Sequence, residues 1–171
     1  MHKINSTRFS VSTLVEALAE RLINKHLVLA TAESCTGGGI AAALTDLAGS
    51  SAWFDAGFVT YSNAAKQRML GVDPELFRED GPGAVSEGVV LEMSLGAVAC
   101  SCADVSMAVS GVAGPGGGSA EKPVGTVWIG WCVDSQTSAE CFLFEGDRAQ
   151  IREATIAAAL RGLLDRLEAK G

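Results

Sequence analysis

Histidine is nearly absent from this sequence, with two residues in 171, His2 and His26. His2 falls in a terminus expected to fray, which leaves His26 as the one imidazole with an ordered setting. A multi-histidine metal site is thereby excluded, and a Ser-His-Asp triad is hard to build. The five cysteines (Cys35, Cys100, Cys102, Cys132 and Cys141) are an odd set without a C-x-x-C pair. That pattern fits reduced, mostly buried thiols rather than a disulfide framework or a zinc knuckle. Basic residues are also short: Lys and Arg number 13 against 20 Asp and Glu, a net charge of -7. General nucleic-acid binding, which rests on attraction to phosphates, is disfavoured. No apolar run reaches the ~18 residues of a membrane span, and MHKINSTRFS lacks the apolar core of a secretory signal. The expected setting is the cytoplasm, with no membrane contact.

What is present is enough hydrophobic residue, 48% of the chain, to build one domain over residues 1–171. Thr13 with Glu16 forms a capping-box pattern ahead of an apolar stripe, predicting a helix over 13–25. LVLAT (27–31) reads as a buried strand, GGGIAAALTDLAG (37–49) as a helix closed by Gly49, and AGFVTY (56–61) as a second strand. Ser62 caps a helix to Leu70 that Gly71 ends. VDPELFREDGPG reads as a connection with one helical turn, and Ser86-Glu87 opens a helix to Ala99. Residues 104–114 form a strand, followed by a glycine-rich loop, and VGTVWIGWCV and SAECFLFEG form a hairpin. Asp147 and Gln150 cap a last helix whose Ile156, Leu160, Leu163, Leu164 and Leu167 share one face. Helices alternating with strands, then adjacent strands, predict an α/β fold around a mixed sheet, with function in loops at strand ends.

Chemistry concentrates in four segments. TAESCTGGG (31–39) sets Ser34, Cys35 and Thr36 between a buried strand and a glycine-opened helix. Backbone amides at such a turn suit an anion or an oxyanion beside a serine nucleophile; simple capping by Ser34 or Thr36 is the competing reading. Consecutive Gly37, Gly38 and Gly39 with no following lysine match neither the dinucleotide fingerprint nor the P-loop. TYSNAAK (60–66) places Tyr61 at a strand end and Lys66 in the next helix, against the alternative of a surface lysine. SGVAGPGGG (110–118) has the length and glycine density of a functional loop. Arg148, in EGDR, opens the last helix, where a cation is disfavoured unless an anion compensates; the alternatives are a phosphate contact and a surface ion pair.

Taken together, TAESCTGG, GSSAWF (49–54), GFVTYSNAAK (57–66), AVSE (84–87), SGVAGPGGGSAEKPVGTVW (110–128) and GDR (146–148) closely resemble the CinA C-terminal domain family. That family includes stand-alone nicotinamide-nucleotide amidohydrolases (NMN deamidases). The resemblance covers about residues 27–160. It implies a three-layer α/β/α sandwich with a mixed, mostly parallel sheet, and hydrolysis of nicotinamide mononucleotide to nicotinate mononucleotide and ammonia, without metal or other cofactor. It further implies Ser34 as catalytic serine, Lys66 as general base, Tyr61 as a relay or orienting residue and Arg148 as a substrate-site cation. On that reading Cys35, Thr36 and Gly37 supply oxyanion or anion-binding amides, and Gly111, Gly114, Gly116 and Gly117 let the backbone approach the nucleotide. Many members carry an upstream molybdopterin-binding-like domain; none is visible here, and no second activity of that kind is expected.

The resemblance puts a physical demand on Lys66. A side chain of ordinary pKa ~10.4 must be brought to about 7, a differential cost of roughly 4 kcal/mol. Burial and a nearby cation, Arg148 or the substrate's pyridinium, are the available causes. Two alternatives stand beside this reading: a non-catalytic competence- or damage-linked interaction protein, and an amidohydrolase of another small nucleotide. A homo-oligomer is expected, on the apolar stripe of the last helix and on Trp53, Trp128 and Trp131.

Overall fold

Five strands and five helices follow from these patterns in a computed structural model that describes residues 10–169; His2 lies outside the described residues. The helices are α1 (Val11–Lys25), α2 (Gly39–Thr45), α3 (Asn63–Leu70), α4 (Glu87–Ala99) and α5 (Arg148–Ala169). The strands are β1 (Leu29–Glu33), β2 (Phe54–Val59), β3 (Val105–Gly111), β4 (Thr126–Val133) and β5 (Gln136–Leu143). Several start and stop signals act where the sequence puts them. Ser62 accepts from the Ala65 amide and Gly71 ends α3 in the left-handed region. Asp147 and Gln150 exchange backbone-to-side-chain bonds of 2.8 and 2.9 Å at the start of α5. Pro74–Phe77 is the single helical turn of its connection.

Several boundaries differ from expectation; β2 lies two residues earlier than AGFVTY, and β3 ends at Gly111 instead of Gly114. Ser10, not Thr13, caps α1 by accepting from the Thr13 amide, so the helix starts two residues early. β1 lies two residues later than predicted, because its buried run continues through the polar Thr31 and Glu33. α2 is shorter than 37–49, because Gly37 and Gly38 take left-handed φ values of 60° and 94° and form a turn instead of a first helical turn.

The sheet order is β2-β1-β3-β4-β5. β1 pairs in parallel with β2 and β3, while β4 is antiparallel to both β3 and β5. Four strands therefore point one way and β4 opposes them, although the pairings divide evenly between the two types. Glu33 is opposite Val59 and Val109, and Gly111 is opposite Val127. In consequence the chain leaving β1, β2 and β3 emerges at one end of the sheet. The loop entering β4 and the chain from β5 into α5 meet it there, at the carboxyl ends of the parallel strands where open α/β sheets bind ligands.

Helices cover both faces, as the three-layer expectation requires. On one, Leu18 and Leu22 of α1, Ile40 and Leu44 of α2 and Leu160, Leu163 and Leu167 of α5 pack on Leu29, Met107, Ile129 and Trp131. Each fully buried aliphatic side chain contributes about 1.5–3 kcal/mol. On the other face the strands present the small Ala30, Ala32 and Ala108 to Leu70 of α3 and to Val89, Val90 and Met93 of α4. The residues behind the expected homo-oligomer are largely consumed inside the chain. Trp53 and Trp131 are buried, the Trp131 indole donates to the Ala159 carbonyl at 2.9 Å, and the α5 leucines face the sheet, so this surface no longer argues for self-association. No described helix is long and apolar enough to cross a membrane.

Close approach of α4 to α3 depends on Gly96, where a Cβ would run into the Leu70 carbonyl and side chain. Gly96→Ala is expected to lower stability by roughly 1–3 kcal/mol through overpacking, read as a lower urea midpoint at unchanged slope. An unchanged midpoint would refute that packing argument.

Candidate active site

The end of β1 turns sharply out of the sheet at Ser34, whose amide donates to the Val109 carbonyl at 3.1 Å. Facing it, the first turns of α3 bring Lys66 inward under the sheet end. Its side chain is 1% exposed, and Nζ lies 2.9 Å from Ser34 Oγ, 2.8 Å from the Thr60 carbonyl and 3.3 Å from the Tyr61 carbonyl. Three acceptors match the three protons of an ammonium. Burial nevertheless works against the charge and lowers the Lys66 pKa to about 8, so a sizeable neutral fraction exists near neutral pH. In that state two protons remain on the carbonyls and the nitrogen lone pair is free to accept from the Ser34 hydroxyl.

Tyr61 reaches Lys66 through its backbone, not its ring. Its side chain is exposed, and the phenol oxygen accepts from Arg148 at 3.3 Å. Arg148 also donates to the Gly114 carbonyl at 2.8 Å, so one guanidinium ties the β2–α3 turn to the glycine loop across the mouth of the site. Both contacts are to neutral oxygens, so the ion-pair alternative does not describe them. The loop is fastened at its base by Val112 and Gly125, whose amides pair with the Thr126 and Val112 carbonyls. At its rim Lys122 Nζ donates to the Pro82 carbonyl.

The glycines separate into two groups. A Cβ on Gly111 would collide with Val127 and the Thr126 carbonyl, and one on Gly114 with Val124. Both positions are small because protein packs against them, which replaces the ligand-approach reading there. Gly116 and Gly117 are exposed, with no neighbour closer than 3.9 Å to such a Cβ, and they keep an open face toward solvent.

The serine turn is organised by a residue that the sequence reading passed over. Glu33 is fully buried; its carboxylate accepts from Thr36 Oγ1 at 2.6 Å and from the amides of Gly38, Ile40 and Ala41 at 3.1, 2.9 and 2.8 Å. The amides at the start of α2 are thus already engaged by an internal carboxylate. Gly37 drops out of the anion-binding set for a related reason, since its amide closes the turn on the Ser34 carbonyl at 3.0 Å. The Cys35 and Thr36 amides make no backbone–backbone hydrogen bond among the described residues. The Cys35 thiol is pushed up to about 11 by burial and stays protonated. A charged residue ending an otherwise buried strand was the available signal for Glu33.

Arg152 also escaped the sequence reading, although it lies one helical turn beyond Arg148. It donates to the Thr36 carbonyl at 2.7 Å. Among the described residues no three His, Cys, Asp or Glu side chains come together as a metal site.

The geometry is that of a buried serine-lysine pair beside two amides without a backbone acceptor, an arrangement suited to acyl transfer. A model of the CinA C-terminal domain matches residues 11–167. The nicotinamide-nucleotide amidohydrolase PncC of Pseudomonas putida is 54% identical over 154 residues, covering 90% of this chain and 95% of that protein. The protein of the same name from Escherichia coli K12 is 49% identical over 153 residues, covering 88% and 90%. A crystal structure of the competence damage-inducible protein A from Klebsiella pneumoniae superposes with a TM-score of 0.89 at 41% identity, covering 94% of this chain and 98% of that one. The matched span holds Ser34, Lys66 and Arg148 together, and the chain belongs to the CinA C-terminal domain family.

Proposed function

We propose that this protein is a nicotinamide-nucleotide amidohydrolase that converts nicotinamide mononucleotide to nicotinate mononucleotide and ammonia through a Ser34-Lys66 pair. The observation that carries the reading is the 2.9 Å contact between a buried lysine amine and the hydroxyl at the end of β1. The substrate class rests on the two nicotinamide-nucleotide amidohydrolases that share about half of its residues.

Neutral Lys66 takes the hydroxyl proton as Ser34 Oγ bonds to the carboxamide carbon, and the Cys35 and Thr36 amides receive the oxyanion. The C–N bond then breaks, with the proton passing from the Lys66 ammonium to the departing nitrogen, which leaves as ammonia. Water attacks the acyl-enzyme and gives a proton to Lys66, and the ester C–O bond breaks as Lys66 returns that proton to Ser34 Oγ, which restores the hydroxyl and the neutral amine. Arg148, at the mouth, exchanges its carbonyl and phenol contacts for the anionic part of the nucleotide. Gly116 and Gly117 form the open loop face on the same side.

Ammonia release from nicotinamide mononucleotide tests this directly. Ser34→Ala should reduce turnover at least about 10³-fold and Lys66→Ala about 10²–10⁴-fold, each in folded protein. Persistent turnover in Ser34→Ala would exclude the acyl-enzyme, and none from the wild type would exclude this substrate.

The lowered Lys66 pKa also fixes a pH dependence. Because the active form is the neutral amine, kcat/KM should rise with pH and level off above about 8; a profile still climbing toward pH ~10 would contradict an activated lysine.

Nucleophile identity has its own check. Iodoacetamide on the folded protein at neutral pH should alkylate the exposed Cys100 and Cys102 and spare Cys35. Rapid labelling of Cys35 with loss of activity would favour a thiol nucleophile instead.

A further inference from the structure

Thr36 is gripped from two sides. Its hydroxyl donates to Glu33 at 2.6 Å and its carbonyl accepts from Arg152 at 2.7 Å, so the residue that follows Cys35 has little freedom to rotate. The two grips come from opposite charges far apart in sequence. One belongs to β1 and the other to α5, 116 residues away. Gly37 completes the setting, since a Cβ there would lie 3.6 Å from the Arg152 guanidinium.

The electrostatic consequence is specific. A helix N-terminus ordinarily stabilises negative charge, but the amides at the start of α2 are taken up by the Glu33 carboxylate. The charged groups that act on Cys35 are Glu33, Lys66 and Arg152. Lys66 is uncharged when it serves as a base, so Arg152 is then the remaining cation of the three at the turn. Its Nε is buried and has no hydrogen-bond partner among the described residues.

We infer that Arg152 is a positioning residue for the acyl-transfer step: by holding the Thr36 carbonyl it aligns the Cys35 and Thr36 amides, and its charge takes the place of the α2 N-terminus that Glu33 occupies. This rests on the serine-lysine reading above for its link to turnover. Arg152 contacts neither Ser34 nor Lys66 and acts through the backbone of the turn. Misplacing a pre-aligned donor set by about 1 Å costs on the order of 10²-fold in rate.

Arg152→Gln and Arg152→Lys, compared with wild type, test the inference by two readouts: kcat and KM for ammonia release from nicotinamide mononucleotide, and backbone amide exchange of Gly37 and Gly38 in the free protein. The Gln variant should lose roughly tenfold to 10²-fold in kcat with KM within about twofold, and exchange at both glycines should accelerate. The Lys variant, which keeps a charged donor, should recover most of both. A raised KM at unchanged kcat would make Arg152 a substrate contact and overturn the inference, as would reduced stability with turnover and exchange unaltered. If the Gln variant does not fold, the Lys variant decides: kcat and exchange must move together, and a fall in kcat alone refutes the role. If wild type releases no ammonia, the substrate reading fails separately and exchange alone judges the positioning.

Discussion

Everything at the candidate site turns on one buried amine. Lys66 is 1% exposed, and the fold supplies three oxygens around it, one from Ser34 and two from the backbone at Thr60 and Tyr61. Burial lowers its pKa to about 8, while the carbonyls hold the amine in place in both protonation states. The base proposed for Ser34 is therefore an amine instead of an imidazole. Much of the surrounding structure can be understood as what is needed to bury that side chain and keep it aimed at Ser34.

The sheet does the first part of this work. Because β1, β2 and β3 run in parallel, the Ser34 turn, the Thr60 carbonyl and the end of β3 emerge side by side. The small Ala30, Ala32 and Ala108 let α4 approach the sheet, and α4 in turn supports α3 through the contact of Gly96 with Leu70. Lys66 is carried on that helix. The other half of the site is bound by side chains from distant elements: Glu33 beneath the turn, Arg152 beside it, and Arg148 bridging Gly114 and Tyr61 across the mouth. The Glu33 carboxylate engages the amides at the start of α2 and ties them to the Thr36 hydroxyl.

Local signals were legible wherever partners lie close in sequence. The Ser62 cap, the Gly71 stop, the Asp147–Gln150 box and the β4–β5 hairpin can all be read from a few neighbouring residues, and the structure uses them as read. The motif order likewise pointed to Ser34, Lys66, Tyr61 and Arg148 as neighbours. What could not be read depends on contacts across the chain. Glu33 looked like an ordinary polar residue until the α2 amides closed around it, so β1 sits two residues later than periodicity predicts, while the Gly37–Gly38 turn shortens α2. Arg152 finds Thr36 only after α5 packs against the sheet. Gly111 and Gly114 resembled ligand-approach glycines because composition does not distinguish a bound nucleotide from a neighbouring valine, and Val127 and Val124 occupy that space.

The ionisation of Lys66 itself is the most direct quantity to measure, by NMR titration of the side-chain amine in protein carrying isotope-labelled lysine, assigned with Lys66→Met. A midpoint about 8 is expected for the buried amine, well below the ordinary lysine value of ~10.4. A Lys66 midpoint at that ordinary value would contradict the proposed role as base for Ser34.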